Sequence, residues 1–70
     1  MKKVKITDSI ANKMEYVGWE LKDILTQLEA DYPDSKIEIT DADEYFVYIT
    51  IDGEKFVMND LGEVIDETWN

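Results

Sequence analysis

The run "YFVYITIDGEKFVM", residues 45–58, constrains this chain more than any other stretch. Asp-Gly between two β-branched and aromatic segments is the strongest short signal for a β-hairpin with a type I′ turn. With Asp52 and Gly53 as the loop, Ile51 pairs with Glu54, Ile49 with Phe56 and Val47 with Met58. Side chains alternate faces along a strand. Tyr45, Val47, Ile49 and Ile51 therefore share one face with Phe56 and Met58. Phe46, Tyr48 and Thr50 share the other with Lys55 and Val57. The first set is an apolar face that needs a cover.

The cover lies upstream. Ile10, Met14, Val17, Leu21, Ile24 and Leu28 recur at alternating steps of four and three, the stripe of an amphipathic helix. Thr7, Asp8 and Ser9 are all good N-cap types, and Pro33 ends the helix by forcing the residue before it out of helical geometry. Gly18 falls inside the stripe, as a bend, a close contact or a break. "KIEIT" reads as a half-buried strand, "NDLG" as a second turn and "EVID" as a further hairpin strand. "KKVKI" reads as a short edge strand or a frayed end. The expected fold is α+β: residues 1–70 as one small domain, one long amphipathic helix packed on a three- to four-stranded antiparallel sheet. One helix covers one face, so Phe46, Tyr48 and Val57 stay partly open unless the tail with Trp69 folds over them.

Charge is the outlying property. Seventeen acids oppose seven lysines, with no arginine or histidine, a net charge of −10. Between Asp34 and Glu67 there are 11 acids against Lys36 and Lys55. Such a chain repels nucleic acid and anionic membranes and attracts basic protein surfaces. The apolar share of 44% is too high for a disordered chain. No apolar run reaches the length of a membrane span, and the lysines of "MKKVKITDS" precede no apolar segment of a signal peptide. The absence of cysteine fits a reducing, cytoplasmic setting and leaves no thiolate metal site.

Enzyme chemistry has little to work with. Histidine, cysteine and arginine are the commonest general base, the thiol nucleophile and the bidentate anion clamp, and none is present. "DADEYFVYITID" matches a calcium-binding loop only at its first and third positions. Phe46 stands where glycine is needed and Asp52 where the bidentate glutamate belongs. No cofactor and no dedicated metal site are expected; loose calcium binding by Asp41, Asp43 and Glu44, as in a cation-binding domain, is a third reading.

The acids suit charge mimicry better. Duplex DNA carries one charge per about 1.7 Å of axis, so 17 charges match about 29 Å of duplex. A domain of this length is about 28 Å across. The candidate partner-binding surface combines Asp41, Asp43, Glu44, Asp52, Glu54, Asp60 and Glu63. Apolar anchors come from Trp19 and Tyr16, which a continuous helix places opposite its stripe, or from Phe46 and Tyr48. If Gly18 instead breaks the helix, Trp19 turns toward the core.

Small size, extreme acidity and a plain helix-plus-hairpin build resemble the phage-encoded inhibitors of the anti-CRISPR and anti-restriction DNA-mimic type. The resemblance concerns the whole chain as a type and carries no motif. It implies a stoichiometric inhibitor that occupies the nucleic-acid-binding surface of a basic partner or nuclease complex, without itself touching nucleic acid or membrane. The alternative is a structural or adaptor module that forms a homodimer through its uncovered sheet face, with acidity serving solubility alone.

Overall fold

The computed structural model describes residues 4–66. The chain runs β1 (Val4–Lys5), α1 (Asp8–Tyr16), α2 (Leu21–Asp31), β2 (Ile37–Ala42), β3 (Phe46–Ile51), β4 (Glu54–Asn59) and β5 (Val64–Asp66). The five strands lie in sequence order in one sheet, and the fold is α+β.

Two expectations need correction. The first is the single long helix. Thr7 caps α1 by accepting the Ile10 amide, but the helix ends at Tyr16. Gly18 takes φ +104°. Its amide donates to the Glu15 carbonyl at 3.2 Å, and the Trp19 amide donates to the Met14 carbonyl at 2.9 Å. This reciprocal pair is a Schellman stop, which favours glycine at its left-handed position. A Cβ on Gly18 would meet nothing within 4 Å, so its backbone conformation rather than close packing calls for glycine. The helix restarts at Leu21 and ends at Asp31, before Tyr32 and Pro33.

The second correction is the three- to four-stranded antiparallel sheet. The sheet has five strands and is mixed, because β1 pairs with β2 in parallel, Val4 opposite Ile37. Neighbouring strands joined by a helical crossover run parallel, and α1 with α2 supply that crossover. The remaining pairs are antiparallel.

The β3–β4 hairpin has the expected register: Ile51 opposite Glu54, Ile49 opposite Phe56, Val47 opposite Met58. Asp52 and Gly53 both have positive φ, as a type I′ turn requires. Met14, Ile24 and Leu28 from the helices close over Ile37, Ile39, Val47, Ile49 and Met58 to form the core. Tyr45 does not join them. The strand begins at Phe46, and Tyr45 sits in the turn before it, 70% exposed. On the sheet face away from the helices Phe46 is exposed and Tyr48 half-buried, but Val57 is only 8% exposed, contrary to expectation. It lies between Tyr48 and Ile65 on the neighbouring strands. Trp69, expected as a cover for that face, lies outside the described residues.

A bulge in β2 decides where the acids point. Ile39 pairs with Ile49, but the next pair is Asp41 with Tyr48, leaving Thr40 as an extra residue. Strict alternation from Ile37 and Ile39 would send Asp41 into the core. The bulge shifts the phase, so Ala42 is buried there and the Asp41 carboxylate stays out. An unpaired buried carboxylate would cost several kcal/mol, on the order of the penalty for any isolated buried ion.

Candidate functional site

The topology sorts the acidic turns. In an antiparallel meander, the β2–β3 and β4–β5 connections emerge at one end of the sheet and the β3–β4 turn at the other. Asp41, Asp43, Glu44, Asp60 and Glu63 therefore gather at one end, hereafter the loop end. Asp52 and Glu54 lie at the opposite end, about 17 Å away along a six-residue strand. The seven candidate acids do not form one surface. Five of them do.

Asp43 organises the loop end. One carboxylate oxygen accepts the amides of Tyr45 and Phe46, each at 2.8 Å. The other accepts the Tyr48 hydroxyl at 2.9 Å. Its amide donates to the Phe46 carbonyl, and its carbonyl accepts the Trp19 indole N–H at 2.6 Å. The Phe46 and Tyr45 amides, helped by the Tyr48 hydroxyl and Lys13, hold its carboxyl below the usual range against the opposing effect of burial. Asp43 is thus a turn anchor, with its oxygens engaged inside the fold. Trp19 is its helical-layer counterpart: half-buried, packed on the core and tied to this turn.

Asp41 is engaged as well. It accepts the Lys13 ammonium at 2.9 Å and the Ala42 amide at 2.8 Å. Lys13 first, then the amide, lowers its pKa. Both partners are about half exposed, so the ion pair itself contributes little to stability. Glu44 makes no hydrogen bond or ion pair among the described residues.

The neighbouring β4–β5 turn has the same construction. The Asn59 side-chain oxygen accepts the Leu61 amide at 3.0 Å and the Glu63 amide at 2.9 Å. Its side-chain nitrogen donates to the Glu63 carboxylate. Gln27 from α2 donates to the Gly62 carbonyl at 2.8 Å and clips the turn to the helical layer. A groove of about 370 Å³ runs between them, with Trp19, Glu20 and Asp23 on one side and Asp60 and Leu61 on the other. A hydrogen bond and like charge shared with Asp23 push the Glu20 pKa up, so negative charge is already crowded there. No three acids among the described residues converge to hold a metal ion.

Apolar exposure falls at the same end. The exposed large apolar side chains among the described residues are Tyr16 (90%), Leu61 (79%), Tyr45 (70%) and Phe46 (38%). Tyr45 and Leu61 project from the two pinned turns, and Phe46 opens β3 between them, opposite Asn59. Tyr16 ends α1 between Lys13 and Trp19, the residues that reach Asp41 and Asp43. Tyr45 and Leu61 were not candidates from sequence. Leu61 could have been: a large apolar residue inside a four-residue polar turn has no local reason to be there. Tyr48 lies mid-strand on the face away from the helices, its ring 6.5 Å from that of Phe46.

The opposite end is built differently. Asp52 accepts the Lys36 amide at 2.9 Å through its carboxylate and donates its own amide to the Lys36 carbonyl. Its side chain fastens the start of β2. The Glu54 carboxylate makes no hydrogen bond or ion pair among the described residues.

No protein-family model, curated protein or solved structure matches the chain. No helix among the described residues is long and apolar enough to cross a membrane.

Proposed function

We propose that this chain is a non-enzymatic interaction protein that docks its loop end on a basic, nucleic-acid-binding partner, such as a nuclease complex. It would occupy the surface that nucleic acid otherwise takes, as phage-encoded DNA-mimic inhibitors do. The observation that carries this reading is a coincidence: large exposed apolar side chains and five of the candidate carboxylates share one end. Solubility explains acids anywhere on a surface. It does not explain Tyr45 and Leu61 held out on turns whose backbones are fixed. Aromatic anchors within a charged rim are the usual composition of a protein-binding hot spot.

Glu44 and Asp60 supply carboxylates unengaged among the described residues, and Asp41 and Glu63 add charge beside them. Association with a cationic cleft would release counterions from that cleft, as DNA binding does. The test is a pull-down from native lysate at low salt, eluted with a salt gradient and then with duplex DNA. The expected result is a basic protein released between about 50 and 200 mM salt and competed by DNA. Capture that ignores both salt and DNA contradicts the reading.

The adaptor reading rests on Phe46, which is exposed on the sheet face away from the helices. Val57, at the middle of that face, is already shielded, which leaves less apolar area for a dimer to bury. Sedimentation as a monomer at high concentration would remove it.

A further inference from the structure

We infer that the loop end fits a cationic groove lined with aromatic side chains, the architecture that binds single-stranded nucleic acid, rather than a cleft that grips duplex phosphates. This rests on the docking reading above and specifies the partner class. A duplex presents phosphates outward and keeps its bases stacked inside, so a cleft complementary to its backbone gains mainly from charge. Such a cleft gives no favourable place to Tyr45 or Leu61. Grooves for single strands combine a cationic track with aromatic platforms, and each stacked base there contributes about 1–3 kcal/mol.

The loop end offers both kinds of group in adjacent pairs. Glu44 precedes Tyr45 on one turn, and Asp60 precedes Leu61 on the next. Phe46 is paired with Asn59, so the two turns leave neighbouring strands about 5 Å apart. A tyrosine ring can stack as a base does while keeping a polar tip. Both turns are fixed before any partner arrives, by Asp43 on the Tyr45 and Phe46 amides and by Asn59 on the Leu61 and Glu63 amides. Such preorganisation lowers the ordering cost of binding.

Two synthetic peptides of equal charge and length test this, one alternating lysine with glycine and one alternating lysine with tryptophan. Their affinities for the full chain are measured by fluorescence anisotropy at low salt. The lysine–tryptophan peptide is expected to bind at least about tenfold tighter, the effect of roughly one stacking contact. The double variant Tyr45→Ser, Leu61→Ser should erase that excess and leave the lysine–glycine affinity intact, with an unchanged melting temperature because both side chains are largely exposed. Glu54→Gln, at the far end, should change neither. Equal, salt-sensitive binding of both peptides would overturn the single-strand inference and leave the docking reading standing. An excess that survives the double variant would also overturn the inference. Binding of neither peptide would overturn both.

Discussion

The two ends of the sheet each use an aspartate to build a turn, but to different effect. At the β3–β4 end, Asp52 supplies a left-handed residue and an acceptor for the Lys36 amide. The turn it makes carries no large side chain: Gly53 and Glu54 follow, with Lys36 and Lys55 nearby in the fold. At the loop end, Asp43 and Asn59 hold two turns that each present a large apolar residue beside an acid unengaged among the described residues. The first end needs its acid to close a hairpin. The second uses its hydrogen bonds to fix turns that leave a tyrosine and a leucine side chain exposed. Acidic residues in a turn are therefore no single category: Asp43 and Asp52 are structural, while the Glu44 and Asp60 carboxylates make no hydrogen bond or ion pair among the described residues.

The largest way to sharpen this comparison is to remove each anchor. Asp43→Ala deprives two amides and a hydroxyl of their acceptor. The expected loss is about 2–3 kcal/mol by urea denaturation, the scale of hydrogen bonds to a charged group. That corresponds to a fall in Tm of about 8–24 °C for a domain of this size. Asp52→Asn should cost under about 0.5 kcal/mol, because asparagine suits a type I′ turn and keeps an acceptor for the Lys36 amide. Equal losses would erase the distinction between the ends.

Gly62→Ala comes next. Gly62 has φ +81°, and an added Cβ would sit 2.8 Å from the Gln27 side-chain nitrogen. Left-handed strain alone costs about 1–2 kcal/mol, and displacement of the Gln27 clip adds to it. Gly18→Ala pays for its backbone conformation but meets open space, so it should cost less, about 1 kcal/mol. A Gly18→Ala protein less stable than Gly62→Ala would show that the clip does not hold the loop end.

Acid titration gives a smaller effect with a definite sign. The carboxyls of Asp41 and Asp43 have folded pKa values below their ordinary ones. Their stabilisation is present above the unfolded value near pH 4 and is lost as pH falls through the folded values. Glu20 is shifted upward, so its contribution runs the other way and favours the fold at lower pH. Melting temperatures across this window should fall with acid in the wild type and fall less steeply in Asp43→Asn. An unchanged slope in that variant would place the acid sensitivity elsewhere. The smallest expected effect is that of Tyr16→Ser, within about 0.5 kcal/mol of wild type, since the ring is 90% exposed.

Much of this fold is legible in the sequence, where local chemistry leaves one choice. Asp52-Gly53 dictates a turn type, and the turn dictates the β3–β4 register. Thr7 and Pro33 bound the helical layer for equally local reasons. The break at Gly18 is harder to see because the apolar stripe keeps its spacing from Val17 to Leu21 across the stop. That concealed the turn of Trp19 from the polar side into contact with Asp43. The parallel pairing of β1 follows from the crossover through the helices, a rule of connection rather than of composition. The β2 bulge leaves no mark except its consequence, an aspartate at a position that strict alternation would bury. Alternation places Tyr45 inward only when the strand is run one residue past its true start at Phe46. The division of the acids between two ends needs only the meander topology, but their separation into anchors and free carboxylates needs the hydrogen bonds.

The most direct test is a residue-by-residue NMR titration of the labelled protein with oligolysine at low salt. If the loop end is the docking end, the amides of residues 41–46 and 59–63 shift first and most, and those of residues 52–54 stay near their starting positions. Shifts spread evenly over both ends and the helices would mean that the acids act only as a general negative surface, and the loop end would lose its claim to a function.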